Sequence, residues 1–333
     1  MPFCQGVVVQ AIERALSAPR LASYANLMAT NQGREAVGAY IWGLELNSAL
    51  SPFLGLVEVA LRNSINSAAC SAFGRADWMQ DVIKWHGDKL FMAKAQSDQQ
   101  TSQTYYRRGC HPFHRQRLNG RPLKHWKSHV ERKRESILQQ LTREGKPHSN
   151  DQVVAHAMFG FWLDFMEAPF EEQGAPYSLW PRCERDIFPN DASLDRAGAE
   201  TILVAVKGLR NRVSHHEPAW NIARPLTPAG VNVYMRTVTQ DMTRLLDAID
   251  PNLALMMRNA GMYRRLDWLL DPQTVSSFSS ISPNAPIDFK RLNRSIRRFA
   301  KQISHPTPLP NTFSTSYRVE HCGRPLMTFS AFV

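Results

Sequence analysis

At 333 residues the chain has room for one large domain or two ordinary ones, and it can bury a core without disulfide or metal staples. Its five cysteines (Cys4, Cys70, Cys110, Cys183 and Cys322) are odd in number and scattered. None forms a C-x-x-C pair, which argues against a secreted disulfide framework and a ribbon-type zinc site.

The expected setting is reducing and cytoplasmic. The N-terminal stretch MPFCQGVVVQAIERAL lacks the basic region of a signal peptide, and no uninterrupted apolar run reaches the roughly 18 residues of a membrane span. The net charge is +11 and the excess is concentrated. Between Arg107 and Lys146 stand twelve basic residues, including Arg107, Arg108, Lys124, Lys127, Arg132, Lys133 and Arg134, against three acidic ones. With Tyr105, Tyr106, Phe113 and Trp126 nearby, this segment fits a polyanion such as RNA, because cations attract phosphates and planar side chains stack on exposed bases. The plainer alternative is a solvated basic helix face. A second basic run, DFKRLNRSIRRFAKQ, lies near the C-terminus.

Helical periodicity dominates, and the expected fold is all-α. REAVGAYIWGLELNSAL reads as one helix stopping at Ser51-Pro52, where Ser51 caps and Pro52 opens a second helix, PFLGLVEVALRNSINSAACSAFG. The two would form an antiparallel pair. The second places Phe53, Val57, Ala60, Leu61, Ser64, Ile65 and Ala68 on one stripe and stops at Gly74. Residues 76–103 look less regular, and CHPFHRQRLNGRP carries loop punctuation. A basic helix is expected from Lys124 to Glu144, ended by GKPHSN. NDQVVAHAMFGFWLDFM then reads as one buried helix capped by Asn150 or Asp151, followed by an acidic link, EAPFEEQGAPYSLWP. A helix from about Asp191 or Ser193 to Glu217 is closed by Pro218, and further helices are expected over Ala229–Ile249 and Leu253–Asn259. Residues 271–333 read as an irregular basic tail.

The motif of interest is LRNRVSHHEP. The spacing R-x-x-x-x-H occurs twice, and chance supplies on the order of one match in a chain of this length. In REGKPH, Gly145 and Pro147 forbid a continuous helix. Arg210 to His215 lies in a periodic helix and adds Asn211 after the arginine. On a helical wheel Ile202, Ala205, Val206, Leu209 and Val213 share the core face, and Asn211 and His215 fall on the opposite side. Arg210 lies at the edge of the apolar stripe, about 140° from His215, so two copies about a two-fold axis would be needed to pool them. His216 is expected to turn towards the core as a structural histidine. A histidine can take the 2′-OH proton or protonate the leaving 5′-oxygen, and an arginine can neutralise charge on a phosphorane. The competing reading is that Arg210, Asn211 and His215 only solvate the helix end.

Three blocks in order, YIWGLELNSALSPFLGLVEVALRNSI with FGRADW after it, VVAHAMFGFWLDF, and LRNRVSHHEP, make the chain resemble the Abi-like family. These are abortive-infection proteins of the AbiD and AbiF type within the HEPN superfamily, and the resemblance covers roughly residues 20 to 260. It implies an antiparallel HEPN-like helical bundle over residues 1–270, with an insertion at about 81–146. It also implies a metal-independent ribonuclease site completed by dimerisation, and a role in phage defence or as a toxin. Arg210, Asn211 and His215 fill the family's R-N-x-x-x-H pattern. Arg62 and Asn63 match its first block, where Ser67 replaces a histidine, so Arg62 either lines an RNA path or braces the helices. The segment Asp81–Gly120 and the tail after Asp271 are not covered.

Other chemistry is poorly supported. Cys110, His111, His114 and His125 are irregularly spaced among basic residues that oppose a metal cation. Glu171 and Glu172 look solvated, and no Gly-rich phosphate loop appears. No cofactor is expected. The expected partners are RNA and a second copy of the chain, with an antitoxin protein or non-coding RNA docked on the tail as a further reading. The alternative function is a non-catalytic RNA-binding or scaffold module.

Overall fold

The computed structural model describes residues 6–29, 33–101, 117–118, 121–122, 127–223, 225–279, 315–321 and 324–331. The chain is predominantly helical. Strands among the described residues are confined to two antiparallel pairs, β1 (Arg117–Leu118) with β2 (Arg121–Pro122) and β3 (Thr315–His321) with β4 (Arg324–Ala331). Contacts divide the chain into two units. The first comprises Met1–Phe53, Leu209–Thr239 and Met256–Val333, and the second Leu54–Gly208 and Gln240–Leu255.

The first unit contains α1 (Gly6–Leu16), α2 (Ala18–Leu27) and the first half of α3 (Gly33–Phe73). Tyr24 of α2 meets Tyr40 and Trp220 edge-on at centroid distances of 5.3 and 5.2 Å, and the Trp42 indole donates to the Leu269 carbonyl at 2.7 Å. Gly43 makes this packing possible, since a Cβ there would stand 2.6 Å from the Tyr24 ring. Burial pushes the Tyr24 phenol well above its ordinary range, and neighbouring Tyr40 adds to the effect.

The expected break at Ser51-Pro52 is not there: α3 continues through Pro52 as one helix, so the expected pair of helices is not formed. A proline in a helix interior costs about 3 kcal/mol, whereas burying one large apolar side chain yields about 1.5–3. Leu46, Leu50, Phe53, Leu54, Val57, Leu61 and Ile65 are all buried along this helix, so continuation wins. Ser51 does not cap a new helix. Its hydroxyl donates back to the Asn47 carbonyl at 2.8 Å. By length and mean hydropathy Glu35–Phe73 is also a candidate membrane span, but 44 % of its most apolar window is already buried within the protein.

In the second unit the stretch expected to be irregular forms α4 (Met79–Thr101). Trp78, Met79, Val82, Ile83 and His86 are buried at helical spacing, and the polar residues that follow mask that stripe in the sequence. The FGRADW block acquires a structural meaning. Arg75 pairs with Asp77 and Asp81, while the Trp78 indole donates to Asn66 at 3.0 Å. The basic helix is α5 (His129–Arg143), which starts later than expected because Ser128 and Glu131 form a reciprocal capping box. VVAHAMFGFWLDF is buried for the most part, with Ala155 and Met158 exposed, and is two helices, α6 (Asn150–His156) and α7 (Phe159–Asp164). Ser149, one residue ahead of the expected caps, accepts from the Gln152 amide. Ala157 and Met158 are extended, and this break lets Phe159, Phe161 and Trp162 all turn inward.

α8 (Glu184–Ile187) and α9 (Arg196–Ser214) follow. Glu171 and Glu172 are not simply solvated, since Arg196 pairs with Glu171 at 2.6 Å and Lys89 with Glu172 at 2.5 Å. Arg196 also pairs with Glu200 and donates to the Met166 carbonyl. α10 (Pro228–Ile249) and α11 (Pro251–Asn259) lie where expected. Beyond them are α12 (Met262–Leu270) and α13 (Pro272–Ser279), so the region after Asp271 is not uniformly irregular. Asp271 accepts from the Thr274 amide at 3.1 Å and Pro272 is the first helical residue, a local start signal hidden in a Ser- and Pro-rich composition. β3 and β4 pair from Thr315↔Ala331 to His321↔Arg324.

Candidate functional site

The helix carrying the motif packs as its periodicity requires. Ile202, Val206, Leu209 and Val213 are buried, together with Ala199 and Leu203, while Ala205 is half-buried. Asn211 and His215 are both exposed, and the His215 amide donates to the Asn211 carbonyl at 3.0 Å. Arg210 is half-buried, consistent with its place at the edge of the apolar stripe.

The helix ends at Ser214 rather than Glu217, and the manner of its ending shapes the site. His216 adopts φ 54°, in the left-handed region. The Glu217 amide reaches back to the Arg212 carbonyl at 2.8 Å, and the His216 amide to that of Val213 at 3.1 Å. These two bonds are the Schellman pattern, with His216 in the position glycine usually takes. His216 is therefore exposed, and the expectation that it faces the core is wrong. The wheel assumed a helix that has already turned left-handed there.

Long-range contacts hold the turn. Asn47, buried on α3, donates its side-chain amide to the Glu217 carbonyl at 3.1 Å, and Arg212 pairs with the Glu217 carboxylate at 3.2 Å. Pro218 leads into a 3-10 turn, Ala219–Ile222, whose Ala219 and Trp220 are fully buried. Trp220 packs against Tyr24 and Trp42 at 5.2 and 6.2 Å. Ala219 and Trp220 were missed as site-building residues, because nothing local marks an aromatic anchor after a proline. A left-handed non-glycine residue costs about 1–3 kcal/mol and persists where surrounding structure over-determines it. Here the Asn47 bond and the Trp220 anchor supply that constraint.

The other R-x-x-x-x-H match has no helical geometry. Gly145 is left-handed at φ 66°, α5 ends at Arg143, and His148 bonds the Thr142 hydroxyl at 2.8 Å.

Arg62 and Asn63 belong to the second unit, the motif to the first. Arg62 is half-buried, with an Nε that makes no hydrogen bond among the described residues, and Asn63 is exposed. Of the basic set, Arg107, Arg108 and Lys124 lie outside the described residues, as do Cys110, His111, His114 and His125. The rest differ sharply among themselves. Arg132 is exposed, and Lys127 pairs with Glu135 at 2.7 Å. Arg134 is half-buried, and burial draws its guanidinium below its ordinary pKa. Lys133 grips both oxygens of buried Asp164 at 2.7 and 2.6 Å and donates to the Gly160 carbonyl at 3.1 Å. Its ammonium thus serves an internal ion pair.

The chain matches no protein-family model, no curated protein and no solved structure.

Proposed function

We propose that the chain is a metal-independent endoribonuclease of HEPN type, cytoplasmic and without a cofactor, acting as an abortive-infection or toxin-type effector. The observation supporting this reading is the presentation of Asn211 and His215 to solvent at the end of a core helix, on a left-handed turn held by a buried asparagine. The resemblance of the three sequence blocks to Abi-like proteins supports the biological role. In this reading His215 moves the proton, taking it from the 2′-hydroxyl or giving it to the leaving 5′-oxygen. Arg210 neutralises charge on the phosphorane, and Asn211 orients the phosphate. The products are a 2′,3′-cyclic phosphate and a 5′-hydroxyl.

Arg210 and His215 stand about 140° apart on one helix, so the reading requires a homodimer that pools them. That same separation favours the alternative, a non-catalytic RNA-binding or scaffold module. The deciding assay incubates purified protein with RNA in EDTA. Cleavage that is abolished in His215→Ala and Arg210→Ala, with helicity unchanged, supports the enzyme. Full activity in both variants overturns it. Salt-dependent RNA binding without cleavage, unaffected by His215→Ala, supports the binding module.

A further inference from the structure

A second group of polar side chains lies within the second unit and takes no part in the motif. His86 on α4 is fully buried, yet neither ring nitrogen makes a hydrogen bond among the described residues. Its ring stacks on Phe170 at 3.8 Å with an interplanar angle of 3°, which fixes the imidazole plane. Its Nε2 stands 3.4 Å from Glu167 Oε2. The other oxygen of Glu167 meets His129 Nε2 at 2.8 Å, and that nitrogen is 3.9 Å from Asp164 Oδ1. The two imidazoles are nearly perpendicular, 6.0 Å apart at 83°.

Ligand atoms from His129, Asp164 and Glu167 lie within 4.8 Å of one another, and His86 points its buried nitrogen at the same carboxylate. A buried imidazole without a partner carries a desolvation cost of about 1–3 kcal/mol that a donor bond would remove. For tetrahedral zinc with bonds near 2.0–2.1 Å, neighbouring ligand atoms sit about 3.3–3.4 Å apart. The His86–Glu167 separation already matches, and the other two separations bracket this value.

We propose that His86, His129 and Glu167, with Asp164 as fourth ligand, form a site for a divalent cation of the zinc class. Two imidazoles and two carboxylates suit zinc or cobalt better than magnesium or calcium, which take oxygen ligands. Phe170 orients one imidazole, and the Lys133 ammonium donates to both oxygens of Asp164, so a metal taking Asp164 as its fourth ligand would share Oδ1 with Lys133. The side chains of His129 and Glu167 are 37 % and 32 % exposed, so the metal enters from that side. Bound there, it would tie α4, α5 and the segment after α7 together.

The test titrates untagged, metal-free, full-length protein with Co(II). One equivalent should bind with the intense ligand-field bands of a tetrahedral complex, and Zn(II) should displace it and raise the thermal midpoint. His129→Ala and Glu167→Gln should each weaken binding by at least about tenfold and abolish the thermal gain. His86→Phe keeps the stack on Phe170 and should do the same. If that buried change prevents folding, the two partly exposed positions carry the test. Absence of binding, or binding unaltered by these variants, overturns the proposal. None of these residues belongs to the ribonuclease reading, so RNA cleavage in EDTA reports on that reading separately.

Discussion

The Asn47 side-chain amide donates to the Glu217 carbonyl at 3.1 Å, tying the middle of α3 to the turn that follows His215 and His216. Asn47 is buried, so its amide cannot exchange this partner for water. Asn47→Leu keeps a similar volume but removes the donor to that carbonyl. Chemical unfolding should register a loss of about 0.5–1.5 kcal/mol. RNA cleavage should fall as well, because the left-handed turn at His216 loses a constraint. A variant as stable and as active as wild type would separate Asn47 from the site.

The adjacent histidines should respond in opposite ways. His215→Ala removes the exposed imidazole of the motif and should abolish cleavage with little change in stability. His216→Gly relieves the left-handed strain and should stabilise the fold by about 1 kcal/mol, with cleavage retained. Thermal melts and a cleavage assay on the two variants check both halves. Activity lost only in His216→Gly would reverse the assignment.

Pro52 interrupts the hydrogen bonding of an otherwise continuous helix and is exposed, so replacing it removes no buried packing. Pro52→Ala should restore the backbone donor and stabilise the fold by on the order of 1 kcal/mol. A lower thermal midpoint would show instead that the proline shapes α3 in a way the fold depends on.

Lys133 and Arg132 are neighbours with different duties. Lys133→Ala leaves Asp164 buried without its cation; burial already raises that carboxyl's pKa, and Lys133 pulls it back. Because the Lys133 side chain is 42 % exposed, the full cost of a broken buried pair is discounted to about 1–2 kcal/mol. Arg132→Ala should stay within about 0.5 kcal/mol of wild type but reduce the salt dependence of RNA binding. Unfolding curves and binding measured at several salt concentrations distinguish the two.

Asp191 accepts from Ser193 and from Arg244 at 2.9 Å, which holds its carboxyl at about 2. A depressed pKa stabilises the fold fully above the ordinary carboxylate value of about 3.9, and this contribution is lost as pH falls towards about 2. Asp191→Asn should therefore be less stable than wild type at neutral pH, with the difference closing over that acid window. A gap that stays constant with pH would exclude a titrating contribution from Asp191.

Local pattern was sufficient wherever one helix face decides the outcome. The apolar spacing of Ile202, Val206, Leu209 and Val213 made the core side of the motif helix legible, and with it the exposure of Asn211 and His215. The near-continuous apolar run around Phe161 and Trp162 likewise announced burial. Tertiary structure decided the rest. It carried α3 through Pro52, because apolar surface on both sides of the proline outweighs one missing hydrogen bond. It turned His216 left-handed and exposed it, because Asn47, 170 residues away in sequence, holds the following carbonyl. It also gave Lys133 to Asp164, brought His129, Asp164 and Glu167 within 4.8 Å of one another, and set His86 3.4 Å from Glu167. Periodicity reports which face of an element is apolar. Partners brought together from distant elements leave no mark on local spacing, so only the folded chain reveals them.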